Sequence, residues 1–140
     1  MTARVAIVTG ASSGIGLGIT HALLERGYRV VANSRTISDS KDLRPSASLV
    51  LVDGDIGKKE TATKVANAAV DHFERIDLLV NNAGIYLPKP FTDYTPEDFD
   101  RMIGTNVAGY FFVTRSRRNK KFHDSACRWK HHRRTASEGE

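Results

Sequence analysis

Four short apolar runs, rich in β-branched residues, divide the first part of the chain, at residues 4–9, 28–32, 48–52 and 77–80. Each run is continuous rather than alternating, as is typical of strands that are buried on both faces. Apolar residues recur at helical spacing over 15–23, after the first run, and over 62–73, after the third. This alternation of strand and helix predicts an α/β fold, with a parallel sheet covered by helices on both faces.

A further helix is predicted to begin after a loop that contains two prolines. Thr95 suits the N-cap, Pro96 suits the first helical position, and the two acids that come next face the positive end of the helix. Apolar spacing then predicts an inward stripe on this helix, made of Phe99, Met102, Ile103, Asn106, Val107 and Tyr110.

The first strand runs directly into a glycine-rich loop, Thr9–Gly16, which reads TGASSGIG. Gly10 would allow the tight turn, Gly14 would let the backbone approach a pyrophosphate, and Gly16 would let the next helix pack close to the strand. Phosphates bound there would meet free N–H groups at a positive helix terminus. The G-x-x-x-G-x-G spacing differs from the G-x-G-x-x-G fingerprint and from a P-loop.

The excess positive charge lies at one end of the chain. The net charge is +5, and residues 115–140 hold nine Lys/Arg and three Asp/Glu, whereas the first 114 hold 12 and 13. This break in composition predicts a boundary: a cofactor-binding domain over 1–114, and a basic tail over 115–140 that is disordered or read out of frame. With 40% hydrophobic and 26% charged residues, the chain falls in the soluble globular class.

Four motifs occur in order along residues 3–114: the loop at 9–16, Asp55-Ile56 after the third strand, Asn82-Ala83-Gly84 after the fourth, and Asn106 in the last helix. Together they resemble the short-chain dehydrogenase/reductase family. The resemblance implies a Rossmann-like doubly wound parallel sheet, incomplete here, with about four strands in the order 3-2-1-4. On the residues alone, Asp55 could simply end a strand and Asn82 could be an ordinary turn residue.

The resemblance also implies which residues bind a nicotinamide dinucleotide, and that Asn106 is the asparagine of the family's catalytic tetrad. The implied cofactor-binding residues are Gly10, Ser12, Ser13, Gly14, Ile15, Gly16, Ser34, Arg35, Asp55, Ile56, Asn82, Ala83 and Gly84. A carboxylate after the second strand would bind the ribose 2′-hydroxyl of NAD(H), but this chain has Ser34 and Arg35 there, which suit a 2′-phosphate. NADP(H) is therefore expected over NAD(H), although Arg35 could be a solvated loop residue.

The family performs hydride transfer with a Ser and a Tyr-x-x-x-Lys that follow the fourth strand, and we expect this chain to lack their counterparts. The four tyrosines are followed, four residues later, by Ala32, Pro90, Asp98 and Thr114 instead of lysine. We therefore expect a truncated carbonyl/alcohol oxidoreductase that is inactive alone, because the general acid is missing. The alternatives are half of a split reductase, or a nucleic-acid or acidic-partner binder that uses the basic tail.

Several further expectations concern location and partners. The fourth strand and the helix from Pro96 would lack neighbours, which predicts self-association. No apolar run is long enough to span a membrane, and a single cysteine, Cys127, agrees with a cytoplasmic location. No metal site is expected, since Cys127 and the histidines near it lack paired ligand spacing.

Overall fold

A computed structural model describes residues 2–118 and contains one parallel sheet. Its strands, in chain order, are β1 (Val5–Thr9), β2 (Arg29–Ser34), β3 (Leu49–Asp53) and β4 (Leu78–Val80). They lie in the spatial order β3-β2-β1-β4, and every pair of neighbours is parallel. The predicted strand order 3-2-1-4 is therefore confirmed, and β4 forms one edge of the sheet.

Helices follow the strands as the apolar spacing predicted. They are α1 (Gly14–Glu25), α2 (Lys59–Phe73), α3 (Pro96–Ile103) and α4 (Tyr110–Arg118), and a π-helical segment, Gly104–Gly109, joins α3 to α4. Gly27, with φ of 77°, lies just beyond the end of α1. Thr95 caps α3 as predicted: its side chain accepts from the amide of Asp98, whose own side chain accepts from the amide of Thr95.

The core lies on both faces of the sheet because alternate residues of each central strand point to opposite sides. Val5, Ile7 and Val31 pack on one face in a buried cluster that includes the inward residues of α2. Val8 and Val30 pack on the other face, with half-buried leucines of α1 against them. Two apolar layers thus hold the strands rigidly, and the loops at their carboxyl ends start from fixed positions.

The predicted inward stripe on the last helix is wrong. Phe99, Val107 and Tyr110 are 57%, 53% and 56% exposed. The prediction assumed one regular α-helix, but the π-helical segment adds residues to a turn and rotates the faces of the helix beyond it. The residues that pack inward are instead Gly109 and Val113, which are buried against the side of the sheet that carries α2.

The boundary predicted after residue 114 falls inside α4, which continues to Arg118. The rest of the predicted tail, 119–140, lies outside the described residues. Within 2–118, no helix is both long enough and apolar enough to cross a membrane.

Candidate cofactor site

The carboxyl ends of the four strands open onto a cavity of about 640 Å³. Most of the residues that the sequence predicted for cofactor binding line it, although they come from four separate segments of the chain. These residues are Gly10, Ser12, Ser13, Ser34, Arg35, Asp55, Ile56, Asn82, Ala83 and Gly84. In parallel α/β sheets, ligands bind in such a crevice beyond the carboxyl ends of the strands.

The glycine loop has the backbone that its sequence predicts. Gly10 and Gly14 adopt φ values of 65° and 55°, a region that side chains with a Cβ disfavour. A Cβ on Gly16 would lie 2.2 Å from the carbonyl oxygen of Gly10, so only glycine lets α1 approach the loop this closely. Space around Gly14 is open, with no other atom within 4 Å of where its Cβ would be.

The start of α1 is left free for an anion. Ser13 occupies the N-cap position, but its side chain makes no capping hydrogen bond, and no acidic side chain lies in the first turn. The first N–H groups of a helix have no partner within the helix, and the helix dipole makes this end positive. Ser13 lines the cavity, so the helix begins at the cavity wall, where these amides suit a phosphate.

Residues after β4 hold the glycine loop in place. The side-chain oxygen of Thr9, which is buried, accepts from the amides of Asn82 at 3.1 Å and Ala83 at 3.0 Å. In return, the Asn82 side chain donates to the carbonyls of Thr9 and Gly10, at 3.1 and 3.0 Å. Asn82 is therefore more than a turn residue, because its amide fixes the carbonyls that open the loop.

The ends of β2 and β3 are joined by Asn33, which the sequence did not single out. Asn33 is 1% exposed, and its Nδ2 donates to the carbonyls of Val52 and Gly54, at 2.9 and 3.2 Å. Its Oδ1 is buried and has no hydrogen-bond donor among the described residues. Asn33 thus ties the strand ends together under the next two residues, Ser34 and Arg35, which line the cavity.

A second contact joins β3 to the turn that follows Arg35. The carboxylate of Asp53 accepts from the amide of Ser38 at 2.9 Å and from its hydroxyl at 2.5 Å. The Ser38 hydroxyl and then its amide hold the pKa of Asp53 below its usual range, because both donors stabilise the charged form. Asp53 is therefore ionised at neutral pH and bonded to this turn.

Asn106 lies outside the cavity wall. Its Oδ1 accepts from the amide of Ile85 at 2.8 Å, and its Nδ2 donates to the carbonyl of Ile85 at 2.9 Å. These two hydrogen bonds hold the loop after β4 against the π-helical segment, and they use both polar atoms of the Asn106 side chain. Single turns of π-helix often occur at functional sites, and the place of Asn106 in a catalytic tetrad stays a prediction.

Other predicted residues shape the loop without lining the cavity, and some cavity residues were missed. Gly14, Ile15 and Gly16 do not line it, and Ile15 is 76% exposed. The missed lining residues are Asn33, Gly54, Gly57, Ile85, Asp100, Arg101, Gly104 and Thr105. A polar residue directly after the apolar run 28–32, and glycines on either side of Asp55, were the available signals.

A cluster of polar contacts holds the loop before α3. Lys89 donates to the carboxylate of Asp98, and the hydroxyl of Tyr94 donates to the carbonyl of Leu87. Lys89 first, and then the amide of Thr95, lower the pKa of Asp98 to about 2.

The site fits a nicotinamide dinucleotide. Open space beside Gly14 and the uncapped start of α1 suit a pyrophosphate, which needs close backbone approach and N–H donors. Ser34, Asp55 and Ile56 also line the cavity, and this mixed polar and apolar wall suits the adenosine half. The buried Oδ1 of Asn33 adds an acceptor without a protein donor in the same wall.

Comparison with known proteins agrees with this geometry. Versicolorin reductase stcU of Emericella nidulans is 39% identical over 118 residues, which covers 80% of this chain and 45% of the relative. A 3-ketoacyl-(acyl-carrier-protein) reductase of Brucella melitensis, solved as a complex with NADH, superposes with a TM-score of 0.76 at 34% identity, over 81% of this chain and 48% of that one.

A second solved structure from Brucella melitensis, a short-chain dehydrogenase/reductase of the glucose/ribitol dehydrogenase type, has a TM-score of 0.79 at 27% identity. The superposition covers 86% of this chain and 51% of the solved one. The chain spans about half the length of the relatives that it matches. The family model of short chain dehydrogenases matches residues 4–121, and the chain therefore belongs to the short-chain dehydrogenase family.

Proposed function

We propose that the chain binds NADP(H) in preference to NAD(H), at the carboxyl edge of its sheet. The site would serve hydride transfer between the nicotinamide and a carbonyl or alcohol, the chemistry of the short-chain dehydrogenase family. The 140 residues by themselves bind the cofactor without turning over a substrate.

The cofactor preference rests on Ser34 and Arg35, which line the cavity directly after β2. An acidic residue at this strand end would accept from the ribose 2′-hydroxyl of NAD(H) and repel a 2′-phosphate. A hydroxyl and a guanidinium do the opposite, since both donate to phosphate and the guanidinium is always charged. Arg35 is exposed and forms no ion pair with residues 2–118, so within that part of the chain no such partner must be displaced before it meets a phosphate.

The test is a calorimetric titration of the chain with NADPH and with NADH. Removing a charge-assisted hydrogen bond of this kind costs about 1.5–3 kcal/mol, so Arg35→Ala should weaken NADPH roughly 10- to 100-fold. NADH affinity should change little. Arg26→Ala is the matched control, because it removes the same charge at the end of α1, away from the cavity. Equal affinities in the wild type would refute the preference.

We expect no turnover because the described part of the chain offers no positioned proton donor for the substrate. Reduction of a carbonyl leaves negative charge on oxygen, which needs a positioned proton donor. Asn106 cannot supply one, because an amide is a poor acid and its two polar atoms are bonded to Ile85. None of the four tyrosines has a lysine four residues later to lower its pKa.

Assays with NADPH over a panel of aldehydes and ketones should therefore read background. Tyr86 is the accessible candidate for a substitute acid, because it is 77% exposed on the segment after β4, whereas the Tyr94 hydroxyl donates to the carbonyl of Leu87. Turnover by the chain that Tyr86→Phe abolishes would contradict the proposal. Turnover that begins only when a second protein is added would favour the split reductase instead.

A further inference from the structure

The turn that carries Arg35 is held by hydrogen bonds to the carboxyl end of β3. Ser34 pairs with Asp53 across the sheet, and the amide of Gly54 donates to the carbonyl of Ser34 at 3.0 Å. Four residues after Ser34, Ser38 donates twice to the Asp53 carboxylate. Arg35 therefore lies in a short segment whose two ends are both tied to the end of β3.

Packing against the core also holds the segment between Ser34 and Ser38. Ile37 is fully buried and belongs to the core cluster on the α1 face, together with Leu43 and Leu49. Residues 37–39 form a single 3₁₀ turn, which is too short to hold its shape through its own hydrogen bonds. Ile37 fixes where the turn starts, and the Asp53 carboxylate fixes how it is oriented above the sheet.

We propose that Asp53 and Ser38 act as a positioning pair that sets cofactor selectivity, because their contact orients the turn so that Arg35 faces the 2′-phosphate. This inference rests on the proposed NADP(H) preference and extends it to two residues outside the motifs of the glycine loop. Neither residue lines the cavity, so both act through Arg35 rather than on the ligand.

The charge of Asp53 distinguishes positioning from a simple electrostatic effect. A carboxylate near a bound phosphate repels it, so if Asp53 acted only as a charge, its removal would tighten binding of a 2′-phosphate. If Asp53 acts by positioning Arg35, its removal loosens that binding. The two roles predict changes of opposite sign. Ser38→Ala separates them further, because it weakens the contact and keeps the charge.

The experiment compares 2′,5′-ADP with 5′-AMP, two probes that differ only in the 2′-phosphate, by calorimetry on the full chain. Asp53→Ala and Ser38→Ala should each weaken 2′,5′-ADP by about 3- to 10-fold, the effect of one exposed hydrogen bond, and change 5′-AMP by less than about twofold. The double variant should lose no more than the single variants, since the two residues act as a unit. Ser40→Ala is the control, because its hydroxyl bonds to Asp42 in the same loop and not to Asp53.

Four results would overturn the inference. Tighter 2′,5′-ADP binding by Asp53→Ala would show that charge dominates, and equal weakening of both probes would show a merely structural role. Weakening of 2′,5′-ADP that persists in an Arg35→Ala background would show that the pair does not act through Arg35. Equal binding of both probes by the wild type would refute the proposed preference itself, whereas a wild-type preference that survives in both variants would refute only this inference.

Discussion

Two glycines in the first turns of α1, two residues apart, should respond to the same substitution with opposite signs. A Cβ on Gly16 would lie 2.2 Å from the Gly10 carbonyl oxygen and 2.5 Å from Nδ2 of Asn82. A Cβ on Gly18 would meet no atom within 4 Å. Both residues lie in the helix, so alanine has the same intrinsic advantage at each position, and only the surroundings differ.

The expected magnitudes depend on these distances. Alanine in place of glycine inside a helix stabilises by about 0.5–1 kcal/mol, so Gly18→Ala should raise the free energy of unfolding by that amount. At Gly16 the clash is with backbone, which cannot rotate away, and overpacking of this kind costs about 1–3 kcal/mol. The helix preference offsets part of that cost. Gly16→Ala should therefore be less stable than Gly18→Ala by roughly the cost of the clash.

Urea unfolding of the two variants, followed by circular dichroism, measures the difference directly, and about 1 kcal/mol corresponds to roughly 4–8 °C in Tm for a domain of this size. Gly16→Ala should also lose NADPH affinity, because moving the Gly10 carbonyl displaces the start of the loop. Equal stability of the two variants, or wild-type cofactor affinity in Gly16→Ala, would refute the close-approach role assigned to Gly16.

Three further predictions concern other parts of the chain. Asp98→Asn should lower the urea midpoint near neutral pH, because the wild-type carboxylate stabilises the fold at any pH above its unfolded pKa. The difference in midpoint between the variant and the wild type should shrink as the pH falls from about 4 toward 2, because the wild-type carboxylate becomes protonated near its folded pKa of about 2. Asn33→Ala should lower the free energy of unfolding by about 1–3 kcal/mol in the same assay, since the carbonyls of Val52 and Gly54 lose the side-chain amide that donates to them. If the exposed apolar face of the last helix causes self-association, Val107→Lys should shift sedimentation toward the monomer, whereas Thr63→Lys on the exposed side of α2 should not.

The features that sequence could predict are those that local patterns determine. The four strands, their order, the Thr95 cap and the glycine loop all arise from short runs of residues whose chemistry has one good structural solution. Gly10 could be assigned to the loop because its positive φ is a local requirement of the turn, and Gly16 because it packs against the carbonyl of Gly10, six residues earlier.

The features that sequence missed depend on register between distant segments. The partners of Asn33 lie 19 and 21 residues later, in β3 and just after it, and become neighbours only once β2 and β3 pair with Asn33 opposite Val52. The contact between Asp53 and Ser38 has the same origin. The apolar stripe failed for a different reason, because the π-helical segment breaks the regular spacing on which the prediction depended.

The bond between Thr9 and the residues after β4 has a consequence for the order of events in folding. Its partners, Asn82 and Ala83, lie 73 and 74 residues further along the chain, so the glycine loop acquires its final shape only after the fourth strand has docked on the first. During synthesis, most of the described domain must therefore leave the ribosome before the glycine loop can take the shape that suits a nucleotide. Once that has happened, a bound nucleotide stabilises the native state by mass action and opposes detachment of the three-residue strand at the sheet edge.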